Sequence, residues 1–176
     1  RRGLVATQFR KWLWCSVLVC AALSLGCATR AEQAANVQVV GSTGYAYSGN
    51  TAVLTANQVA KFDTGGFAGT LRMELWALTS PYNGGNTTGY KLASYTLGQL
   101  TAGFVFNNIS SGLVQFLPPP DGTWWFVMLL TEYDAGPVDN GYSVRDWVNF
   151  STPHTFANSP PPTKTTIPGT TPPYLL

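Results

Sequence analysis

Glu74 and Glu132 are the residues whose type best suits bond-breaking chemistry here, since two carboxylates are all that glycoside hydrolysis requires. Each sits in an apolar run, TLRMELWALT beginning at Thr70 and WWFVMLLTEY beginning at Trp124. If those runs are neighbouring strands of one sheet, a small glycoside hydrolase becomes a reading to weigh. A plainer role competes with it. Arg72 and Arg145 are placed to neutralise the two acids, and a sandwich of about 120 residues offers little room for a deep cleft. Ion pairing or solvated strand positions are therefore expected of both glutamates.

Other reactive types are sparse. His154 is the single histidine, next to Pro153 at the start of a proline-rich stretch, where an exposed imidazole is expected rather than a triad member. One histidine and no downstream thiol leave a zinc site without ligands. Asp134, Asp139 and Asp121 are candidate calcium ligands, but no DxDxDG loop surrounds them, and turn-capping is their ordinary use. Gly65-Gly66 and Gly84-Gly85 are turn pairs, not phosphate loops. No cofactor is expected. The sequons at Asn86, Asn108 and Asn149 arise readily by chance.

Aromatic residues are the more suggestive set: Trp76, Trp124 or Trp125, Trp147, Tyr82, Tyr90 and Tyr95. Several must fill the core. Yet Trp76 lies on the same alternate face as Arg72 and Glu74, and Trp147 lies beside Arg145, so an exposed aromatic row with polar flanks is expected from Trp76, Tyr82, Trp147 and Arg145. Such a row stacks sugar rings in carbohydrate-binding modules, and it equally anchors protein contacts, where Trp, Tyr and Arg are enriched. Packing against a core or a partner is the favoured use.

The thiols mark how the chain is handled. Cys15, Cys20 and Cys27 all fall in the first 27 residues, around the apolar run LWCSVLVCAALSL that follows Arg10-Lys11. Thirteen residues are short of the ~20 that a membrane-spanning helix needs. A basic start, a short apolar middle and a small-residue end describe a secretory signal peptide, assigned to residues 1–31. Ordinary cleavage near Ala28 or Ala31 is favoured, with lipidation of Cys27 as the alternative, because Gly26 precedes it but Ser24 and Leu25 depart from the lipoprotein pattern. Beyond residue 30 the chain carries five bases and eight acids, a net charge of −3, which speaks against a nucleic-acid partner. Arg1 in place of Met, and the ending Pro-Pro-Tyr-Leu-Leu, suggest a piece of a longer protein.

These side chains need strands to hold them. Only 10% of residues are charged, while Gly, Thr, Ser, Asn and aromatics abound, a composition suited to extracellular all-β domains. Alternation in TLRMELWALT sends Leu71, Met73, Leu75 and Ala77 one way, and Arg72, Glu74, Trp76 and Leu78 the other. That predicts a half-buried strand with a charged outer face. Trp124–Tyr133 is apolar on both faces and should be central. Further strands are expected at 90–97, 103–109 and 142–150, with earlier ones at 37–40, 44–48 and 51–62, about seven in all. Seven of the twelve prolines fall from Pro153 onward, so residues 151–176 are expected as an extended Pro/Thr-rich tail or linker after a module spanning 32–150.

The segments SGNTAVLTANQVAKF, GTLRMELWALTSPYNGG, GYKLASYTLGQLTAGFVF and GTWWFVMLLTEYD resemble bacterial cell-adhesion-related modules of the CARDB type. The resemblance rests on Leu71–Trp76 (L-R-x-E-L-W), Leu97–Gly103 (LGxLxxG) and the strand from Gly122 to Glu132-Tyr133, and it covers about residues 50–150. Asp134, Asp139 and Asn140 stand where such modules end in acidic and asparagine residues. It implies an immunoglobulin-like antiparallel β-sandwich with an adhesive or spacing role. The expected protein is secreted or held at the bacterial envelope and is not an enzyme. Its expected partner is another protein or neighbouring domain, with a polysaccharide as the alternative and membrane contact only through a lipid on Cys27.

Overall fold

Alternating runs rich in Val, Thr, Leu and Tyr become strands because branched and aromatic side chains pack well on a pleated surface. The computed structural model describes residues 36–135, 139–157, 163–167 and 169. The leader, Cys27 and part of the Pro/Thr-rich stretch lie outside them. In chain order the strands are β1 (Val37–Ser48), β2 (Thr51–Lys61), β3 (Leu71–Leu78), β4 (Thr87–Gly98) and β5 (Val105–Ser110). There follow β6 (Val114–Gln115), β7 (Gly122–Tyr133), β8 (Tyr142–Asn149), β9 (His154–Phe156) and β10 (Thr165–Ile167), with a 3-10 turn at Asp139–Gly141.

Two antiparallel sheets result. One has the order β1-β2-β5, with β6 also on β2; the other runs β10-β4-β3-β7-β8, with β9 also on β7. The seven strands of six residues or more give the immunoglobulin-like arrangement, three strands facing four. The short strands are mostly continuations. Thus β5 pairs with Thr55–Ala60 of β2 and β6 with Thr51 and Ala52, while β8 pairs with 127–133 of β7 and β9 with 122–124. The two expected strands at 37–40 and 44–48 are one strand, β1, carrying a bulge between Val40 and Thr43. A two-residue turn joins β1 to β2, and Gly49 supplies the positive φ of 55° that such hairpins require.

Between the sheets lies the main core. Leu54 and Val59 of β2 meet Leu71, Met73 and Leu75 of β3 and Phe126, Met128 and Leu130 of β7. Fully burying side chains of this size stabilises by about 1.5–3 kcal/mol each. Asp146 ties the sheets' edges together, accepting from the Val39 amide at 2.8 Å and from the Trp147 amide at 2.8 Å.

Two expectations need correction. First, the outer face of β3 is covered: Glu74, Trp76 and Leu78 are buried along with the inner set. A second apolar cluster, Trp76, Leu78, Tyr82, Val127, Leu129, Val144 and Ile167, occupies that side, with Trp147 packed against it. Second, the region after residue 150 is not wholly a tail. β9 and β10 pair with the sandwich because Thr155, Thr165 and Thr166 offer free amides between the prolines, and Ile167 brings an apolar side chain to bury.

Candidate functional site

β3 and β7 are hydrogen-bonded neighbours, as the glycosidase reading required, but their register keeps the two glutamates apart. Glu74 faces Leu129 and Glu132 faces Leu71. Leu129 belongs to the outer cluster and Leu71 to the inner core. Cross-strand partners share a face, so the two carboxylates occupy opposite faces of the sheet. They cannot flank one glycosidic bond.

Each acid is also committed to cations. Glu74 is fully buried; it pairs with the Arg72 guanidinium, accepts from Lys91 Nζ at 3.2 Å, and accepts from the Trp76 indole N–H at 2.8 Å. Arg72 lies over the Tyr142 ring at 3.7 Å, and Lys91 over Trp76 at 5.1 Å. A buried carboxylate needs this many partners, because leaving it without them would cost several kcal/mol. The expected solvated charge pair is thus a buried network. Glu132 accepts from Arg145 Nε at 2.7 Å and from the Gly69 amide at 2.7 Å. Position 69 must be glycine, since a Cβ there would run into the Tyr133 carbonyl oxygen.

The expected aromatic row is absent as an exposed feature. Trp76 is 1% exposed and Tyr82 4%, and Trp147 is half-buried edge-on to Tyr82 with ring centres 5.2 Å apart. Asn149 clamps the loop that delivers Tyr82: its Nδ2 donates to the Tyr82 carbonyl at 2.8 Å, and its Oδ1 accepts the Tyr82 amide at 2.9 Å. Burial pushes the Tyr82 hydroxyl up to about 12. Arg145 spends its charge on Glu132 and on Asp134, 3.0 Å away. Tyr90, Tyr95 and Trp124 pack against the main core, and the Trp124 indole donates to the Pro120 carbonyl at 2.8 Å.

His154 is not a solvent histidine. It lies in β9, stacked on Phe126 with ring centres 4.5 Å apart, and its Nε2 shares a 2.5 Å hydrogen bond with the Tyr45 hydroxyl. Burial first, and the neighbouring Tyr47 second, push the Tyr45 hydroxyl above its ordinary value. Among the described residues, the rings packed against this pair are those of Tyr47, Phe126 and Phe150. This is packing.

Asp121 and Asp134 flank opposite ends of the 12-residue β7, and Asp134 accepts from Arg145. The side chain of Asp139 lies outside the described residues. Among the described residues no group of three or more His, Cys, Asp or Glu is placed to hold a metal ion.

What the structure does expose was not anticipated. Phe62, Phe67 and Phe104 are 60%, 71% and 64% exposed, and they share the end of the sandwich opposite the β1–β2 hairpin. Hydrogen bonds knit their loops together: Ala102 N to Gly66 O and Gly103 N to Lys61 O at 3.0 Å, with a bridge between Phe67 and Thr101. Beneath them the Lys61 ammonium pairs with Asp63. The sequence carried a signal for this: Phe62 and Phe67 bracket the turn Asp63-Thr64-Gly65-Gly66, and Phe104 follows Gly103. Large rings beside turn glycines fall outside the alternation that buries side chains.

No protein-family model matches this chain, and no curated protein matches it.

Proposed function

We propose that this chain is an exported, non-enzymatic β-sandwich module of the bacterial envelope or exterior, similar to the CARDB type, that works by contact and spacing. The observation that carries the reading is the disposition of Glu74 and Glu132, which lie on opposite faces of one sheet and are saturated by Arg72, Lys91 and Arg145. A general acid must reach a leaving group and exchange a proton with it. Glu74, fully buried beneath two cations, serves a structural purpose instead. The basic-then-apolar leader supports export, and the absence of cysteine beyond residue 27 leaves the packed core to supply stability. Burial of Trp76 and Tyr82 weighs against a carbohydrate-binding platform on that face.

The test joins two assays on one preparation. Chromogenic glycosides are expected to show no turnover, and affinity gels carrying cellulose, chitin or alginate no retardation. Turnover that disappears in Glu132→Gln would overturn the non-enzymatic reading. Retardation that disappears in Trp147→Ala would replace contact and spacing with sugar binding.

A further inference from the structure

We infer that the end carrying Phe62, Phe67 and Phe104 seats on the surface of a lipid bilayer. The inference rests on reading the chain as an envelope module and names what that end touches. Rings of this size bury about 150–250 Å² each, so three of them at 60–71% exposure present roughly 400 Å² of apolar surface. That is half of the ~800 Å² per partner on which a stable dimer closes. A bilayer sets no such threshold, because each ring gains separately as it enters the boundary between headgroups and acyl chains.

Chain geometry points the same way. The Phe62 amide donates to the Asn36 carbonyl at 2.8 Å, so the polypeptide enters the sandwich at this end. The segment before Asn36 contains LWCSVLVCAALSL and, two residues after it, Cys27, which is ten residues from Val37. Ten residues reach at most about 35 Å. A tether of that length joins the module beside the phenylalanines, the end inferred to meet the bilayer.

Charge defines the lipid. Among the described residues, Lys61 is spent on Asp63, and Arg145 on Glu132 and Asp134, so these cations are already neutralised before any anionic headgroup approaches. The contact is apolar, and zwitterionic lipid suffices for it.

The test uses the full chain with Cys15, Cys20 and Cys27 changed to Ser and an environment-sensitive fluorophore on Thr64→Cys, an exposed position in the Phe62–Phe67 loop. Vesicles of phosphatidylcholine are expected to blue-shift its emission. Adding phosphatidylglycerol is expected not to enlarge the shift. The shift is expected to vanish when Phe62→Ser and Phe104→Ser are added, and a label on Leu113→Cys, at the hairpin end and 78% exposed, is expected to stay unchanged. Equal shifts at both positions, or none at Thr64→Cys, would overturn the inference. So would a shift that follows protein concentration without vesicles, which would assign the patch to a second copy of the chain. None of these outcomes touches the glycoside and polysaccharide assays, so the two readings fail separately.

Discussion

Trp76 and Phe67 are both large aromatic residues of one small sandwich, yet the first is 1% exposed and the second 71%. Trp76 sits on the outward face of β3, where a half-buried sheet would leave it in water, among the charged partners Arg72, Glu74 and Lys91. Tyr82 from the β3–β4 connection and Ile167 from β10 close over that face. Phe67 stands in a loop that no described segment covers. Alternation along a strand therefore reports which face a side chain takes; whether the face is wet is decided by segments far away in sequence. Arg72 and Glu74 of β3, with Lys91 of β4, form an interior network, while the exposed phenylalanines Phe62, Phe67 and Phe104 stand in loops at one end.

That contrast can be broken most severely at Trp76. Trp76→Ala is expected to cost about 3–5 kcal/mol, because it leaves a cavity and removes a donor from Glu74. Urea unfolding would read this as a lower midpoint, and a loss under about 1 kcal/mol would place Trp76 in water. Glu74→Ala comes next, at about 3 kcal/mol, since Arg72 and Lys91 then share a largely covered site without their anion. Restoring only a neutral partner in Glu74→Gln should recover part of that loss.

Titration sharpens the comparison differently. The Tyr82 hydroxyl rises from 10.0 to about 12 through burial, so the folded protein holds that proton more tightly than the unfolded chain does. Its contribution to stability is complete below pH 10 and is lost as pH climbs from 10 towards 12. Tyr82→Phe should flatten the stability profile in that window, while the profile below pH 10 keeps its shape. The smallest effect falls at the exposed end: Phe67→Ser is expected to change stability by no more than about 0.5 kcal/mol in the same unfolding assay.

Much of the scaffold was legible because it is local. Alternation placed β2, β3, β7 and β8 within two residues of their bounds, and the doubly apolar run from Trp124 did become an interior strand. Arg72 and Arg145 were identified as the partners of Glu74 and Glu132, since opposite charges two residues apart along a strand share a face, and the neighbouring strand brought the second pair together. Register was not legible. One residue of slip moves a side chain to the other face, so the separation of the two glutamates could be read only from the observed pairing. The prolines beyond residue 150 concealed β9 and β10, because pairing needs only a few free amides and one apolar side chain such as Ile167. Covering segments of that kind turned an expected binding row into a second core.

The most direct measurement is hydrogen exchange at the Trp76 indole N–H, followed by nitrogen-15 NMR. It donates to Glu74 Oε2 in a fully buried setting, so it should exchange only through global unfolding and match the slowest amides of β3 and β7. Exchange within minutes, at the rate of an indole open to water, would contradict a covered outer face and return Trp76 to the surface as a binding residue.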